Sequence, residues 1–309
     1  MNRVNLLRPA FALAAALLLM QTAYPLSFQD PQANDAEAES YKLFYEANKA
    51  KDLPKAYELA KKHLKDFPTG KYAEYFKTKY IPNTRGLLFN QAATAKNSEA
   101  MLSLANEVFA EHPDDLNYLL PLAQHLNLHE LNAKPPITTH AKEADAFTRK
   151  AVKLLEEGKR PEDANFKPNE TLKYFYQVLA LSDERNKNVD SALAFFEKAA
   201  ALDATDSFNF LHTGGIYQQR YIAAAEKYQA LPEADKTAAT PSEQTLAIRK
   251  QLNDAADAML ERWIKFLKLT ATTNPYPGDT RGEIEKTVAE VYKYRHPETP
   301  EAFRELIKP

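Results

Sequence analysis

Apolar positions along most of this chain recur with the spacing of an amphipathic helix. In the first such stretch Tyr41, Phe44, Tyr45 and Asn48 share one face at i, i+3, i+4 and i+7. A polar break follows, and Pro54 then suits the first turn of a second helix. The pattern therefore predicts two consecutive helices joined by a short turn.

The composition supports a helical chain. Only 7 glycines occur in 309 residues, and runs of β-branched residues are rare, so the residues that strands and tight hairpins need are scarce. Most of the 19 prolines lie between the apolar-periodic stretches, where they separate helices. We therefore expect an all-α fold.

The first helix pair is repeated further along the chain without a gap. Residues 44–68 align with residues 89–113, and the shared positions pair Phe44 with Phe89, Ala47 with Ala92, Ala60 with Ala105 and Pro68 with Pro113. Repeats of this kind are typical of units that bury their apolar faces only by stacking on one another. The prediction is an α-solenoid of stacked antiparallel helix pairs.

Later residues carry a family resemblance. Four positions of the segment 172–202 match the tetratricopeptide repeat, which has small residues at unit positions 8, 20 and 27 and an aromatic at 24: Ala180, Ala192, Ala199 and Phe196. Gly214 follows Ala180 by one 34-residue period, so a fourth unit is expected there. If its inter-helix loop is two residues short, Ala224 and Tyr228 fall in its second helix. The resemblance implies a protein that binds other proteins.

The chain is predicted to divide into four parts. Residues 1–23, or up to about 30, read as a signal peptide with an eleven-residue apolar core, followed by a flexible leader over 24–36. Repeats then cover 37–232, with insertions near 132–140 and 158–168, and 233–309 form a helical cap. A periplasmic or secreted location follows. An uncleaved inner-membrane anchor is the alternative.

Charge and motifs exclude several functions. The net charge is −2 with no basic block, so nucleic acid is not an expected partner, and no membrane span is expected after signal cleavage. No cysteine and no phosphate-binding, nucleophile or zincin motif occurs. We expect no cofactor and no catalysis.

The resemblance also implies where a partner binds. In the family, the first helix of each unit faces the ligand through unit positions 2, 5, 9, 12 and 13. Carried over to this sequence, these positions give Tyr41, Tyr45, Asn48, Lys49, Asn90, Gln177, Glu184, Arg185, Gln218 and Gln219. Amide, charged and tyrosyl side chains suit the recognition of an extended peptide or a helix.

One other cluster is a candidate for chemistry. His125 and His129 lie at i, i+4 on a predicted helix, and His140 follows across a loop, so the three could bind a metal ion. The simpler interpretation is that His125 and His129 sit near a helix C-terminus, where histidine is favoured. The sequence and the resemblance thus favour a non-catalytic scaffold of the bacterial cell envelope that binds a partner peptide or helix in the concave groove of the solenoid. An envelope enzyme or metal-binding protein, or an accessory factor in outer-membrane protein assembly, are the alternatives.

Overall fold

A computed structural model describes residues 35–131, 137–273 and 275–309. All regular secondary structure in these ranges is helical, which confirms the all-α prediction. The predicted signal peptide and most of the leader lie outside the described residues. No helix within these ranges is both long and apolar enough to cross a membrane.

Most of the helices follow one another with short connections, and longer ones precede α8 and α13. In chain order they are α1 (Asp35–Lys49), α2 (Leu53–Asp66), α3 (Ala73–Tyr75), α4 (Ile81–Thr94), α5 (Ser98–Glu111), α6 (Leu116–Leu126), α7 (Ala141–Glu156), α8 (Pro168–Arg185), α9 (Val189–Leu202), α10 (Ser207–Gln229), α11 (Glu233–Thr237), α12 (Glu243–Leu269), α13 (Thr280–Arg295) and α14 (Phe303–Leu306). Two π-helical stretches, Phe76–Tyr80 and Asn127–Leu131, join α3 to α4 and extend α6.

Three of the turns between paired helices share one backbone geometry. A lysine in each adopts a left-handed conformation: Lys51, Lys96 and Lys187, with φ of 60°, 56° and 62°. The next amide then donates to the carbonyl five residues back, over 3.0, 2.9 and 2.8 Å, which is a Schellman ending. The residue after each lysine is Asp or Asn, and this residue begins the following helix.

The fourth predicted helix pair is wrong. The segment that contains Gly214, Ala224 and Tyr228 is a single helix of 23 residues, α10, with no turn in it. One repeat length after Lys187 and its capping Asn stand Tyr221 and Ile222. An aromatic residue disfavours the left-handed conformation and isoleucine cannot cap a helix, so the helix continues.

The described residues divide into two compact units after Phe147, within α7. In the first unit α1 packs on α2, α2 on α4, α4 on α5 and α5 on α6. In the second unit α8 packs on α9, α9 on α10, α10 on α12 and α12 on α13. Each unit by itself therefore has the stacking of successive helices that the tetratricopeptide-like pattern predicts.

The core of the first unit begins under α1 and α2. Ala56 and Ala60 of α2 are fully buried, and their small side chains let α1 approach closely. Phe44 of α1 meets the edge of Phe76, with the ring centroids 4.7 Å apart and the planes at 87°. This contact ties α1 to the π-helical stretch that leads into α4.

The core of the second unit centres on α10 and α12. Trp263 is buried against Gly214, where a β-carbon would overlap the indole ring. The indole N–H donates to the carbonyl of Leu211 over 3.2 Å. Gly214 therefore serves close helix packing, and Trp263 is a core residue.

The long helix of the C-terminal segment begins two residues later than its capping pattern suggests. Thr240 is the cap that the sequence suggests, because Pro241 after it suits the first turn of a helix. In the structure Ser242 takes this role, and its hydroxyl accepts from the Thr245 amide over 3.2 Å. The helix ends at Leu269 as expected. Because α12 packs along α10, residues 243–269 share a core with the last repeat-like helix.

Candidate functional site

Four tyrosines of the first unit form the most distinctive surface among the described residues. Tyr41 and Tyr45 project from α1, Tyr72 immediately precedes α3, and Tyr75 is the last residue of α3. We call these four the tyrosine surface. The rings of Tyr41 and Tyr72 stack with their centroids 3.8 Å apart and an interplanar angle of 15°. Tyr75 is 44% exposed, and the other three are half-buried.

Local sequence explains how these rings come together. Tyr41 and Tyr45 are one helical turn apart, and so are Tyr72 and Tyr75, so each pair lies on one side of its helix. One member of each pair contacts the buried Phe76: Tyr41 from α1 and Tyr75 from α3. The aromatic core beneath therefore fixes the orientation of the rings above it.

The environment of Tyr41, Tyr72 and Tyr75 keeps their hydroxyls protonated. Burial, with smaller contributions from the neighbouring Tyr75, Tyr72 and Tyr45, raises the pKa of Tyr41 to about 12. Burial also raises the pKa of Tyr72 and of Tyr75 above the usual value. The surface accordingly offers neutral phenols, each of which can donate or accept a hydrogen bond.

Several predicted partner-binding residues instead hold helices together. Asn48 accepts a hydrogen bond from the Tyr80 hydroxyl over 3.1 Å, which links α1 to the end of the π-helical stretch. In the second unit Glu184 lies 3.1 Å from Nδ1 of His212, which links α8 to α10. An exposed-looking polar position in the sequence is thus an internal contact in the structure.

Gln177 shows the same behaviour. Its amide nitrogen donates to Asp206 over 2.9 Å and to Asn209 over 3.0 Å, again between α8 and the start of α10. These two bonds use both donors of the side chain. A partner that used Gln177 would have to break a contact between two helices.

The remaining predicted residues face solvent. Lys49, Asn90, Arg185 and Gln219 are exposed, and Gln218 is half-buried on α10. The predicted set is also divided between the two compact units: Tyr41, Tyr45, Asn48, Lys49 and Asn90 belong to the first, and the others to the second.

Sequence reasoning missed Tyr72 and Tyr75. They fall in the segment between the aligned repeats, where no unit position was assigned. Their spacing of three residues directly before Phe76 is the signal that would have placed them on the same side of a helix.

The three histidines of the proposed metal site do not converge. Nε2 of His125 lies 3.2 Å from the Ser98 hydroxyl, and its ring centroid is 4.8 Å from that of His129. His140 instead lies between two carboxylates, with Nδ1 2.9 Å from Glu130 and Nε2 3.1 Å from Glu99. Throughout the described ranges, no group of three or more His, Asp or Glu side chains has a geometry that suits a metal ion.

Two of these histidines have opposite electrostatic settings. The hydrogen bond to Glu130, helped by Glu99, raises the pKa of His140 above its ordinary value of 6.5. Burial, with a smaller contribution from His129, lowers the pKa of His125 to about 4. At neutral pH His125 is therefore neutral, whereas the surroundings of His140 favour its charged form.

Comparison with known proteins adds one structural likeness. No protein-family model matches the chain, and no curated protein matches it. Among solved structures, a tetratricopeptide-repeat protein from Bacteroides fragilis superposes with a TM-score of 0.46 at 12% sequence identity, over 82% of this chain and 97% of that one.

Proposed function

We propose that this protein is a non-catalytic scaffold that binds a protein partner through the tyrosine surface of its first unit. The observation that carries the proposal is the group of partly exposed rings of Tyr41, Tyr45, Tyr72 and Tyr75. Tyrosine is enriched at protein interfaces because it offers a large apolar ring and a polar tip with few rotatable bonds.

The proposed mechanism is binding to a preformed surface. Because Tyr41 is stacked on Tyr72, little conformational entropy remains to be lost when a partner covers these rings. The ring faces would pack against apolar side chains, and the hydroxyls would bond to the partner's backbone. No step of turnover is part of the proposal.

The proposal extends to location. The basic start of the chain and its eleven-residue apolar run support export, so the partner is expected in the cell envelope. N-terminal sequencing of the protein from the periplasmic fraction tests this. A new terminus between about residues 23 and 30 supports export and cleavage, while an intact Met1 in the cytoplasm contradicts both.

A photo-crosslinking residue in place of Tyr75 tests the binding surface. Tyr294 is the matched control, because it is a tyrosine of similar exposure, 50% against 44%, and lies in the other unit. We expect a protein adduct at position 75 that is absent at position 294.

The captured partner is then purified and its affinity measured. Tyr75→Ala is expected to weaken binding at least tenfold, since truncation of an interface hot spot, where tyrosine is enriched, costs about 2 kcal/mol or more. Tyr294→Ala should leave the affinity unchanged. Equal capture at the two positions, or an affinity that Tyr75→Ala does not alter, would rule out this surface.

A further inference from the structure

A cleft lies in the second unit where α9, α10 and α12 meet. Its volume is about 360 Å³, and it is lined by Glu197, Ala200, Ala201, Phe210, Thr213 and Arg262. This volume falls at the small end of the range for small-molecule sites, about 300 to 1,000 Å³. The cleft is distant in sequence from the tyrosine surface and plays no part in the function proposed above.

The lining combines an apolar floor with one pair of opposite charges. Phe210 is buried, and Ala200 and Ala201 present only methyl groups from α9. At the edge, Nη2 of Arg262 donates to Glu197 over 3.4 Å, a long contact between two partly exposed side chains. A contact of this length in partial solvent binds its two members weakly.

Arg262 has hydrogen-bonding capacity left over. Its Nη1 donates to Glu261 over 2.9 Å, but its Nε–H is buried and meets no acceptor among the described residues. A buried donor without an acceptor carries a free-energy cost, so an incoming carboxylate that takes up this N–H after a small rotation of the guanidinium would relieve it.

We propose that this cleft binds a free apolar α-amino acid. The α-carboxylate would pair with Arg262, the α-ammonium with Glu197, and the side chain would cover Phe210 and the two alanines. The adjacent opposite charges match a zwitterion, in which the carboxylate and the ammonium are attached to the same carbon atom. A ligand with one charge, or with no apolar side chain, would satisfy only part of this lining.

The only tryptophan of the chain provides the readout. Trp263 follows Arg262 and packs on Gly214, which follows Thr213 of the cleft. Leucine is titrated into the intact protein while tryptophan emission is recorded. A saturable change is expected for leucine. Three related compounds should each bind at least tenfold more weakly than leucine. Leucinamide lacks the carboxylate, N-acetylleucine lacks the ammonium, and glycine lacks the apolar side chain.

Variants assign the charges. Arg262→Gln should weaken leucine binding at least tenfold, and Arg304→Gln, an exposed arginine paired with Glu301, is the matched control that should not. Ala201→Asp adds a negative charge at an exposed position of the lining, so it tests the same point if Arg262→Gln unfolds. It should also weaken binding.

Three results would overturn the proposal. They are no saturable change with leucine, unchanged affinity in both Arg262→Gln and Ala201→Asp, and N-acetylleucine binding as tightly as leucine. The last result would mean that the cleft recognises the carboxylate alone, so that it would be an anion site and not a zwitterion site. None of these results bears on crosslinking at Tyr75, so the two proposals fail separately.

Discussion

Two adjacent glycines of α10 have opposite surroundings. A β-carbon on Gly214 would overlap the indole of Trp263, whereas one on Gly215 would meet nothing within 4 Å. Two successive glycines in a helix suit close packing, but the sequence cannot say which of the two is required. That distinction depends on Trp263, which lies 49 positions after Gly214 in the sequence and contacts it only in the folded chain.

Gly214→Ala should therefore destabilise the second unit. Forcing a methyl group into a packed core typically costs about 1–3 kcal/mol. Gly215→Ala is the control and should be neutral or stabilising by up to about 1 kcal/mol, because alanine favours a helix interior. Urea unfolding followed by tryptophan emission measures both. Equal free energies of unfolding for the two variants would contradict the packing described here.

The pair of histidines near α6 predicts opposite pH dependences. The pKa of His140 is raised in the folded state, so its contribution to stability is complete below about pH 6.5 and is lost as the pH rises through the folded pKa. The pKa of His125 is lowered to about 4, so its contribution is present above about pH 6.5 and is lost as the pH falls towards 4.

His140→Gln should reduce the loss of folding stability that the wild-type protein shows as the pH rises. Free energies of unfolding are compared at about pH 6 and about pH 8.5, on either side of the ordinary histidine pKa. The wild-type protein should lose more stability over this interval than the variant. His112→Gln, at an exposed position, is the control. The assignment is wrong if both variants keep the wild-type slope.

At the scale of helices, the lysine turns determine where one helix ends and the next begins. The sequence predicted breaks at these places from polar residues and prolines, and α1, α2, α4, α5, α8 and α9 have them. The same reasoning failed for α10 because it followed the 34-residue register and did not ask whether Tyr221 can adopt a left-handed backbone conformation. The repeat register alone therefore does not predict where a helix ends, because the residues at the turn must also be able to form it.

Lys187→Gly should stabilise the second unit. The left-handed conformation costs a residue with a side chain about 1 kcal/mol more than it costs glycine, and Lys187 has a φ of 62°. Lys265→Gly, at an exposed position inside α12, should have the opposite sign and cost about 1 kcal/mol. Thermal unfolding of both variants is the measurement. A loss of stability in Lys187→Gly would refute the turn assignment.

At the scale of the whole molecule, the class of fold was predictable and the division was not. Composition and periodicity indicate helices that stack on their neighbours, and each unit shows this. The division within α7 has no sequence signal, since that helix reads as one uninterrupted amphipathic stretch. The tyrosine surface was half predictable. Tyr41 and Tyr45 follow from the repeat, while Tyr72 and Tyr75 depend on the π-helical link that no repeat position describes.

The unbroken α10 also limits how this chain can change in evolution. The second helices of the pairs, such as α9 with 14 residues, are about 21 Å long, whereas α10 and α12, with 23 and 27 residues, extend over about 34 and 40 Å. A duplicated 34-residue segment inserted before residue 207 would present α10 with a helix of the length of α9, which is the contact that α10 already makes. One inserted after residue 229 would separate α10 from α12 and leave much of α12 uncovered, so a duplicated helix pair should be tolerated before α10 and not between α10 and α12.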